Sequence, residues 1–361
     1  MSQRIIFFHT LNDFSGSPKV LASVIKGLSG KGYNIDLYTS SSETGHLAGI
    51  QGVKYHTVFY RFTHNKFVTL IRFILLQLRY FFIVFKYHGN NDDVFYLNTI
   101  LPFGAALGAK IIRKRIIYHV HEYPVKRNLI HKIAIYIFLK CADSAIFVSN
   151  YLFNSYNMAP KRKFMVYNAL LPEFTEIAGK HQPAINKPFN IMMASSLKTY
   201  KGVDIFLRLA EQLSDHHFYL VLNADEKEIK HYFKRKEFPG NLEIIASVKD
   251  LHAFYTRANL VVNLSIPALC TESFGLTILE AMNYGIPVIV PPAGGITELV
   301  KNDLNGYQID PLDLDALLKK INKIFSSEEN YFLLSSGSRI MSKDFAYYPM
   351  LEKIETIIKK I

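Results

Sequence analysis

The chain has 361 residues, of which 49% are hydrophobic and 20% charged, a composition typical of a globular protein long enough for two or three domains. Its two cysteines, Cys141 and Cys270, are far apart and belong to no paired motif, which argues against a disulfide framework and a cysteine-based metal site. The first residues, MSQRIIFFHT, suit a first strand better than a signal peptide, so we expect a cytoplasmic protein.

The formal net charge of +12 is confined to the first half of the sequence. Residues 1–180 contain 22 Lys and Arg against 9 Asp and Glu, whereas residues 181–361 contain 20 against 21. This asymmetry predicts different partners for the two halves, with the first half facing a membrane surface, phosphates or nucleic acid. Solubility alone is the plainer alternative, but it gives no reason for the excess to stop at mid-chain.

Strand and helix patterns alternate along the chain in two series. The strands of the first series are RIIFFHT, NIDLYTS, DVFYLNT, RIIYHVH and SAIFVSN, and those of the second are FNIMMASS, FYLVLN, LEIIAS, LVVNLS and PVIVPPA. Longer helix-like stretches separate the strands, which predicts two α/β domains with parallel sheets covered on both faces. In such folds ligands bind beyond the carboxyl ends of the strands, so we expect the site in the cleft between the domains.

The predicted domain boundaries follow the break between the two series. A polar segment with three prolines marks the linker. We therefore assign a first domain to residues 1–170, the linker to 171–188, a second domain to 189–340, and a last helical segment to 341–361.

Residues 67–86 form a strongly apolar stretch with Arg72, Arg79 and Lys86 spaced by sevens. Runs of about six residues between these cations are shorter than the roughly 20 that span a bilayer. Two interpretations stay open: a helix lying in the membrane interface, and a helix packed against the sheet of its domain. Further basic clusters favour the membrane over nucleic acid, and they comprise Arg113–Arg115, Lys126 with Arg127, and Lys161–Lys163.

The segment TESFGLTILEAMNYGIPVIVPPAGG, residues 271–295, has two glutamates eight positions apart. We expect a helix to start here, with the amides of Ser273, Phe274, Gly275 and Leu276 free to hold a phosphate. Glu280 lies about one turn further, where its carboxylate can accept two hydrogen bonds from a diol such as a ribose. Amides and carboxylates in this order describe a nucleotide sugar, although either glutamate taken singly suits an ordinary helix.

Asp313 and Asp315 form an Asp-x-Asp pattern, which some metal-dependent transferases use on nucleotide sugars. Here the pattern opens the helix-like stretch ALLKKINKIF. Acids at a helix start cap free amides and complement the helix dipole, so we predict a capping role and no metal site.

The segment ESFGLTILEAMNYGIPVIVPPAGGITELV resembles the E-x7-E signature of retaining GT-B glycosyltransferases of family GT4. The likeness extends to MMASSLKTYKGVDIFLRLA at residues 192–210, to SGSPKVL after the first strand, and to HVHEYP, IFVSNYL and VYNAL. The resemblance implies the GT-B fold, in which two Rossmann-like domains face each other across a cleft. It covers about residues 5–330.

The resemblance also implies roles for individual residues. It implies that Glu280 binds the nucleotide ribose, that Glu272 contacts the donor sugar and that Lys201 binds the diphosphate. In the first domain it places His121 beside the donor sugar and the backbone of Gly16 near the phosphates. Backbone groups near Val248 would contact the base, and the donor would be a UDP-sugar or GDP-sugar with no metal and no further cofactor.

One position departs from the family pattern. Where the family usually has Gly-Arg before its Lys-Gly, this chain has Ser195-Ser196. We expect Lys198 to supply the second positive charge, although a lysine cannot copy the bidentate geometry of arginine.

The function implied is transfer of a sugar, with retention of configuration, to a lipid-linked or growing surface glycan of the O-antigen, capsule or exopolysaccharide type. We expect the protein to lie peripherally on the inner face of the cell membrane, and its last helix to cross back to the first domain. The alternatives are a sugar-nucleotide epimerase or hydrolase of the same fold, which needs no acceptor, and a non-catalytic scaffold in a glycan assembly complex.

Overall fold

The computed structural model divides into two compact units, Met1–Asn168 with Tyr348–Ile361, and Ala169–Tyr347. The residues that it describes are 3–41, 43–61, 63, 65–124, 129–156, 163–233, 237–248 and 250–360. Four cations of the predicted basic clusters, Lys126, Arg127, Lys161 and Arg162, lie outside the described residues.

The first unit alternates strands and helices, as the hydrophobic pattern predicts. Its strands are β1 (Arg4–Phe8), β2 (Asn34–Thr39), β3 (Val53–Thr57), β4 (Val94–Asn98), β5 (Arg115–Val120), β6 (Ser144–Phe147) and β7 (Lys163–Met165). Its helices up to β7 are α1 (Gly16–Gly30), α2 (Lys66–Ile83, continued by a 3-10 turn at Val84–Tyr87), α3 (Phe103–Ile111), α4 (Leu129–Cys141) and α5 (Asn150–Ser155).

Among the described residues these strands form one parallel sheet in the order β3-β2-β1-β4-β5-β6-β7. Strand β4 is buried along its whole length, and β1 is buried at all but its first residue. Apolar side chains on both faces are expected where helices cover a parallel sheet on both sides. The strand order reverses between β1 and β4, which makes their carboxyl ends the switch point of this unit.

The second unit repeats the same architecture. Its helices are α6 (Pro172–Lys180), α7 (Val203–Gln212), α8 (Glu226–Tyr232), α9 (His252–Tyr255), α10 (Leu276–Asn283), α11 (Leu314–Ile324) and α12 (Glu328–Ser342). Its strands are β8 (Asn190–Ser195), β9 (His217–Leu222), β10 (Leu242–Ile245), β11 (Leu260–Val262), β12 (Val288–Val290) and β13 (Gly306–Gln308). Short 3-10 turns occupy Thr199–Lys201, Gly295–Leu299 and Lys343–Phe345.

The second sheet, again within the described part of the chain, is parallel with the order β10-β9-β8-β11-β12-β13. Its core joins side chains of β8, β9 and β11 to the buried faces of α7 and α11. Here the strand order reverses between β8 and β11. The second switch point therefore lies where the chain leaves these two strands.

The predicted linker, residues 171–188, is not a simple connection. Its first part forms helix α6, which belongs to the second unit. Pro172 at the first helical turn has the fixed φ angle that a helix start requires, while Glu173 near the start and Lys180 near the end complement the helix dipole. The prolines marked this segment as a linker, but Pro172 starts a helix.

The last helix, α13 (Tyr347–Lys360), belongs to the first unit from Tyr348 onward. Glu355 forms an ion pair with Lys31 and accepts a hydrogen bond of 3.1 Å from the hydroxyl of Tyr33. These contacts, with Lys359 one turn further on, lower the pKa of Glu355 to about 2. Helix α13 thus belongs to the same unit as β1 to β7.

Helix α2 packs on α3 through an unusually close backbone contact. A Cβ atom added at Gly104 would lie 2.0 Å from the carbonyl oxygen of Gln77. The amide of Gly104 donates to the side-chain oxygen of Gln77 at 2.9 Å, which satisfies the acceptor of this buried carboxamide. Within the described residues, α2 with its 3-10 turn is the one helix whose length and composition would allow it to cross a membrane.

A basic cluster that faces a membrane should be exposed throughout. The cluster at residues 113–115 is not. Lys114 is buried, and its ammonium group donates to the carbonyl oxygens of His88 and Asn90. Burial lowers the pKa of Lys114, with nearby charges acting in both directions. Lys114 therefore ties the loop before β4 to the start of β5.

The close contact at Gly104 predicts that a larger side chain at this position lowers the stability of the protein. Gly104→Ala should lower the free energy of unfolding by about 1–3 kcal/mol, since α2 and α3 must separate to admit the methyl group. Urea unfolding followed by circular dichroism measures the change. The control is Gly30→Ala at the end of α1, where the added Cβ meets open space; an equal loss in both variants would contradict the packing argument.

Candidate functional site

Lys201 lies at the switch point of the second unit, in the 3-10 turn that follows β8. The amide of Ile266, in the loop after β11, donates to the carbonyl oxygen of Tyr200 at 2.8 Å. This bond joins the two loops that leave the switch point. The ammonium group of Lys201 is therefore held beside the segment that carries Glu272.

Lys201 and Glu272 form an ion pair in which both side chains are largely buried. The Ser265 hydroxyl donates to the same carboxylate oxygen at 2.7 Å, and the Asn263 amide group donates at 3.4 Å. Burial alone would raise the pKa of Glu272, but the charge of Lys201 and these hydrogen bonds outweigh it and lower that pKa. Burial likewise opposes the charge of Lys201, but Glu272 raises its pKa overall, so both groups are charged at neutral pH.

The helix of the E-x7-E segment starts later than the sequence suggested. Helix α10 begins at Leu276, so its first amides are those of Leu276 and Thr277 rather than those of Ser273 onward. Gly275 precedes it with a φ of 103°, a conformation that L-residues rarely adopt. A Cβ there would also lie 2.7 Å from a side-chain carbon of Ile296, so both backbone shape and space require glycine.

Ser273 and Phe274 stand in the turn before α10. The Phe274 side chain is 2% exposed and packs edge-on against Phe345, with ring centroids 5.7 Å apart. It is part of the core, and only its backbone is available to a ligand. The carbonyl oxygen of Glu272 accepts a 2.8 Å hydrogen bond from the amide of Gly295, which fixes the start of this turn.

Glu280 is buried in α10, one turn beyond Leu276 as predicted. The hydroxyl of Tyr255 donates to its carboxylate at 2.7 Å, and Tyr255 stacks on Tyr284 with centroids 5.5 Å apart. Burial, and then the negative charge of Glu280, raises the pKa of Tyr255 well above its usual value. Tyr255 therefore stays protonated and holds one carboxylate oxygen in place.

The remaining predicted donor residues lie in the loops after β8 and β10. Lys198 is exposed and starts the 3-10 turn, with its amide bonded to the carbonyl of Ser196 at 2.9 Å. Ser196 is half-buried. Val248 follows the edge strand β10, two strands from β8, so the structure does not bring it to the switch point.

In the first unit, Asn98 connects the residues at the ends of β1 and β5. Its carboxamide oxygen, which can only accept, lies 2.9 Å from Nε2 of His121, so His121 carries its proton on Nε2. The amide nitrogen of Asn98 lies 3.1 Å from Nδ1 of His9 and donates to the carbonyl oxygen of Ser17 at 3.2 Å. Ser17 is next to Gly16, the exposed first residue of α1. Asn98 thus fixes His121 and the start of α1 together.

Several titratable groups around Asn98 are neutral at neutral pH because they are buried. Burial lowers the pKa of His121 well below its usual value, and the neighbouring His119 and His9 add to the effect. The same cause lowers the pKa of His9 to about 4 and that of His119 to about 3. Glu122 accepts hydrogen bonds from the amides of Ile100 and His121, yet burial raises its pKa to about 7.

The structure brings together Lys201, Glu272 and the start of α10 in one unit, and His121 with the start of α1 in the other. Sequence reasoning missed the residues that hold them: Asn98, Tyr255, Asn263 and Ser265. Three of these could have been found as polar residues at or just after strand ends, in YLN and LVVNLS. Tyr255 follows no strand, and the sequence carries no signal for it.

The Asp-x-Asp pattern has the capping role predicted for it. The side chain of Asp313 accepts a hydrogen bond of 2.9 Å from the amide of Ala316 at the start of α11. Asp315 lies in the first helical turn. Over the described ranges of the chain, no group of three or more His, Cys, Asp or Glu side chains is placed to hold a metal ion.

The buried histidines predict that acid destabilises the protein. Their pKa is lower in the folded chain than in the unfolded chain, so below about pH 6.5 the unfolded chain binds more protons and stability falls. Glu122 acts oppositely, because its folded pKa of about 7 lies above the 4.5 usual for a glutamate, so its protonation adds stability as the pH falls through 7. We expect the histidines to prevail and the urea midpoint to decrease from pH 7 to pH 5.

Glu122→Gln is the matched variant for this prediction. It removes the opposing contribution, so its urea midpoint should fall more steeply than that of the wild type over the same pH range. A wild-type midpoint that is constant or rises on acidification would contradict the neutral state of His9 and His119.

Part of the second unit matches a known sequence family. Residues 175–337 match the family model described as glycosyl transferases group 1. An uncharacterized glycosyltransferase of Haemophilus influenzae is 25% identical over 197 residues, which are 53% of either chain. The lipopolysaccharide 1,2-N-acetylglucosaminetransferase of Salmonella typhimurium is 25% identical over 31% of this chain and 29% of its own length. The matches thus span about half or less of these relatives.

Comparison with solved structures identifies the fold. The Anabaena protein Alr3699/HepE, in complex with UDP and glucose, is similar with a TM-score of 0.78, over 99% of this chain and 100% of its own, at 18% identity. The prediction of two Rossmann-like domains of the GT-B type is confirmed, and the family resemblance is supported at the level of group 1 over residues 175–337. Residues 175–337 thus match the group 1 glycosyl transferases, and the chain as a whole has the GT-B fold.

Proposed function

We propose that this protein is a retaining glycosyltransferase that moves a sugar from a nucleotide-diphosphate sugar to a lipid-linked or growing surface glycan. The observation that carries the proposal is the buried pair of Lys201 and Glu272 at the switch point of the group 1 domain. A fixed cation beside the start of a helix is what a diphosphate requires.

Lys201 would act on the leaving group. As the bond between sugar and diphosphate breaks, the nucleoside diphosphate gains negative charge. A positioned ammonium group and the first amides of α10 then stabilise the transition state more than the bound donor. Because protein groups supply this charge, the proposed reaction needs no metal.

Glu272 and Glu280 would bind the donor at two points. Glu280 accepts from the ribose diol, with Tyr255 fixing the orientation of its carboxylate. Glu272 accepts from hydroxyl groups of the donor sugar, with Ser265 and Asn263 fixing its position. The incoming diphosphate competes with Glu272 for Lys201, so donor binding would shift the ammonium group from carboxylate to phosphate.

For the first unit, the family resemblance gives His121 a role beside the donor sugar and Gly16 a backbone contact with the phosphates. Asn98 would act through His121 as a positioning residue, since it determines which ring nitrogen carries the proton. The acceptor hydroxyl would attack on the same face from which the diphosphate leaves, with the leaving group helping to take its proton.

Two of the similar proteins support the choice of substrates. The HepE structure is a complex with UDP and glucose, which favours a UDP-sugar donor here. The Salmonella relative is a lipopolysaccharide N-acetylglucosaminetransferase, which favours a surface-glycan acceptor. We further propose that the protein works in the cytoplasm, on the inner face of the cell membrane.

The donor site is tested by titrating UDP, GDP and their sugar conjugates, with melting temperature and calorimetry as readouts. One nucleotide should raise the melting temperature through preferential binding to the folded state. Lys201→Met and Glu280→Gln should each weaken its binding at least about tenfold, because each removes a charge-assisted contact worth about 1.5–3 kcal/mol. The matched controls Lys319→Met and Glu211→Gln alter exposed residues of the same unit and should bind normally.

The same titration separates the proposal from its rivals. If no nucleotide binds, the transferase proposal fails and a scaffold role replaces it. If the donor is consumed at full rate without any acceptor, the protein is an epimerase or hydrolase. Equal loss of binding in the control variants would remove the assignment of Lys201 and Glu280.

Once an acceptor is found, the chemistry of transfer can be tested directly. The rate should be unchanged in EDTA, and proton NMR of the product should show the anomeric configuration of the donor. Inversion of configuration, or a loss of rate in EDTA that magnesium restores, would contradict the proposed mechanism.

A further inference from the structure

Helix α2 is apolar on its exposed side as well as on its buried side. Its buried residues are Phe73, Leu76, Gln77 and Tyr80. Exposed large apolar side chains cover much of the rest, and with the following 3-10 turn they are Phe67, Leu70, Ile71, Ile74, Leu75, Leu78, Phe82 and Phe85. Phe67 and Phe82 are 68% and 67% exposed. A contiguous apolar surface of this kind marks an interaction site.

The apolar surface continues on the neighbouring helices. Helix α2 packs on α3, and α3 packs on α4. Helix α3 exposes Leu107 and Ile111, and α4 exposes Leu129, Ile133 and Tyr136. We call the exposed apolar side chains of these three helices the apolar face.

The helices of the apolar face carry only positive charge. Helices α2 to α4, with the turn after α2, contain seven Lys and Arg and no Asp or Glu. Arg72 and Arg79 are seven residues apart, which at about 100° per residue places them in one narrow stripe along α2, and Lys86 follows in the 3-10 turn. Arg79 is exposed, and the guanidinium of Arg72 lies over the ring of Phe59 at 5.8 Å.

The fold decides how α2 can meet a membrane. Its buried side is anchored by the close contact at Gly104 and by the hydrogen bond from Gly104 to Gln77. Tyr80 is fully buried and packs edge-on against Phe8 of β1, with ring centroids 5.1 Å apart. Crossing a bilayer would require α2 to leave these contacts, so the helix can only lie along a membrane surface.

We infer that the apolar face is the membrane-binding surface of this protein, and that its partner is a bilayer containing anionic lipids. Helix α2 lies in the plane of the interface, with Phe67 and Phe82 entering the acyl region and Arg79 among the headgroups. The layering of the helix, apolar side chains beside a stripe of cations, matches the layering of the interface. The inference deepens the proposed function by naming where the membrane binds, and it rests on that function only for the location in the cell.

The chain contains no tryptophan, so a single introduced tryptophan reports its own surroundings. Phe82→Trp should show a blue-shifted emission with vesicles that contain phosphatidylglycerol, and bromines near the headgroups should quench it more than bromines near the bilayer centre. Phe332→Trp, at an exposed position in the second unit, should show neither effect. Stronger quenching at the bilayer centre would mean that α2 spans the membrane, which would overturn the inference.

Vesicle sedimentation tests separately how much the apolar side chains and the positive charges contribute to membrane binding. The double variant Phe67→Gln/Phe82→Gln should reduce the partition coefficient at least about tenfold, because it removes two large apolar side chains from the interface. Its control is Leu333→Gln/Ile340→Gln, whose side chains are both 61% exposed on α12. Arg79→Glu should weaken binding to anionic vesicles several-fold at low salt, whereas Lys319→Glu should not.

The outcomes distinguish this surface from the donor site. Every variant should keep its response to nucleotide, which shows that it is folded and that a failure of the proposed transferase function would be seen separately. Equal binding of the wild type and the Phe67/Phe82 variant to vesicles would overturn the inference. So would concentration-dependent dimers that the same variant abolishes without any wild-type binding to vesicles, because the apolar face would then join two copies of the chain.

Discussion

The parallel pairing of the strands determines where polar and charged site residues can lie in this protein. The central strands are buried mainly by apolar side chains, so an unpaired charge along them would carry a large desolvation cost. All carboxyl ends point to one edge of each sheet, and the reversal of strand order opens a gap there. Lys201 and Glu272 meet in the gap of one unit, and Asn98 links His9 to His121 in that of the other. The rest of each site follows from this placement.

Much of this arrangement can be predicted from the sequence, because hydrophobic periodicity and the residues that begin or end helices and strands are local features. Apolar runs predicted the two sheets, and the spacing of Glu272 and Glu280 predicted one helical turn between Leu276 and Glu280. The start of that helix was predicted too early, since Gly275 adopts a backbone conformation that residue type alone does not announce. The linker was misjudged for a similar reason, because Pro172 can begin a helix as well as interrupt one.

The partners that hold the site residues could not be predicted, since they depend on which elements the sheets bring together. Tyr255 comes from a short helix 25 positions before Glu280, and Asn98 lies 23 positions before His121. No local pattern links such pairs. The depressed pKa of His121 follows from burial, from His119 two positions earlier, and from His9, which comes from the end of another strand, β1. The sequence therefore indicated which residue types stand in the site, but the protonation state of His121 could be inferred only from the structure.

The net charge of each half of the chain does not match the charge at its switch point. The first half carries the positive excess, yet at its switch point the buried His9, His119 and His121 have lowered pKa values and stay neutral. The second half has almost no net charge, yet its switch point holds a protonated lysine paired with a carboxylate. Among the described residues, the part of this positive excess that α2 to α4 carry lies away from the switch point. It stands instead on helices such as α2, whose outer side is apolar, and a surface that combines both properties is built for contact with a charged interface.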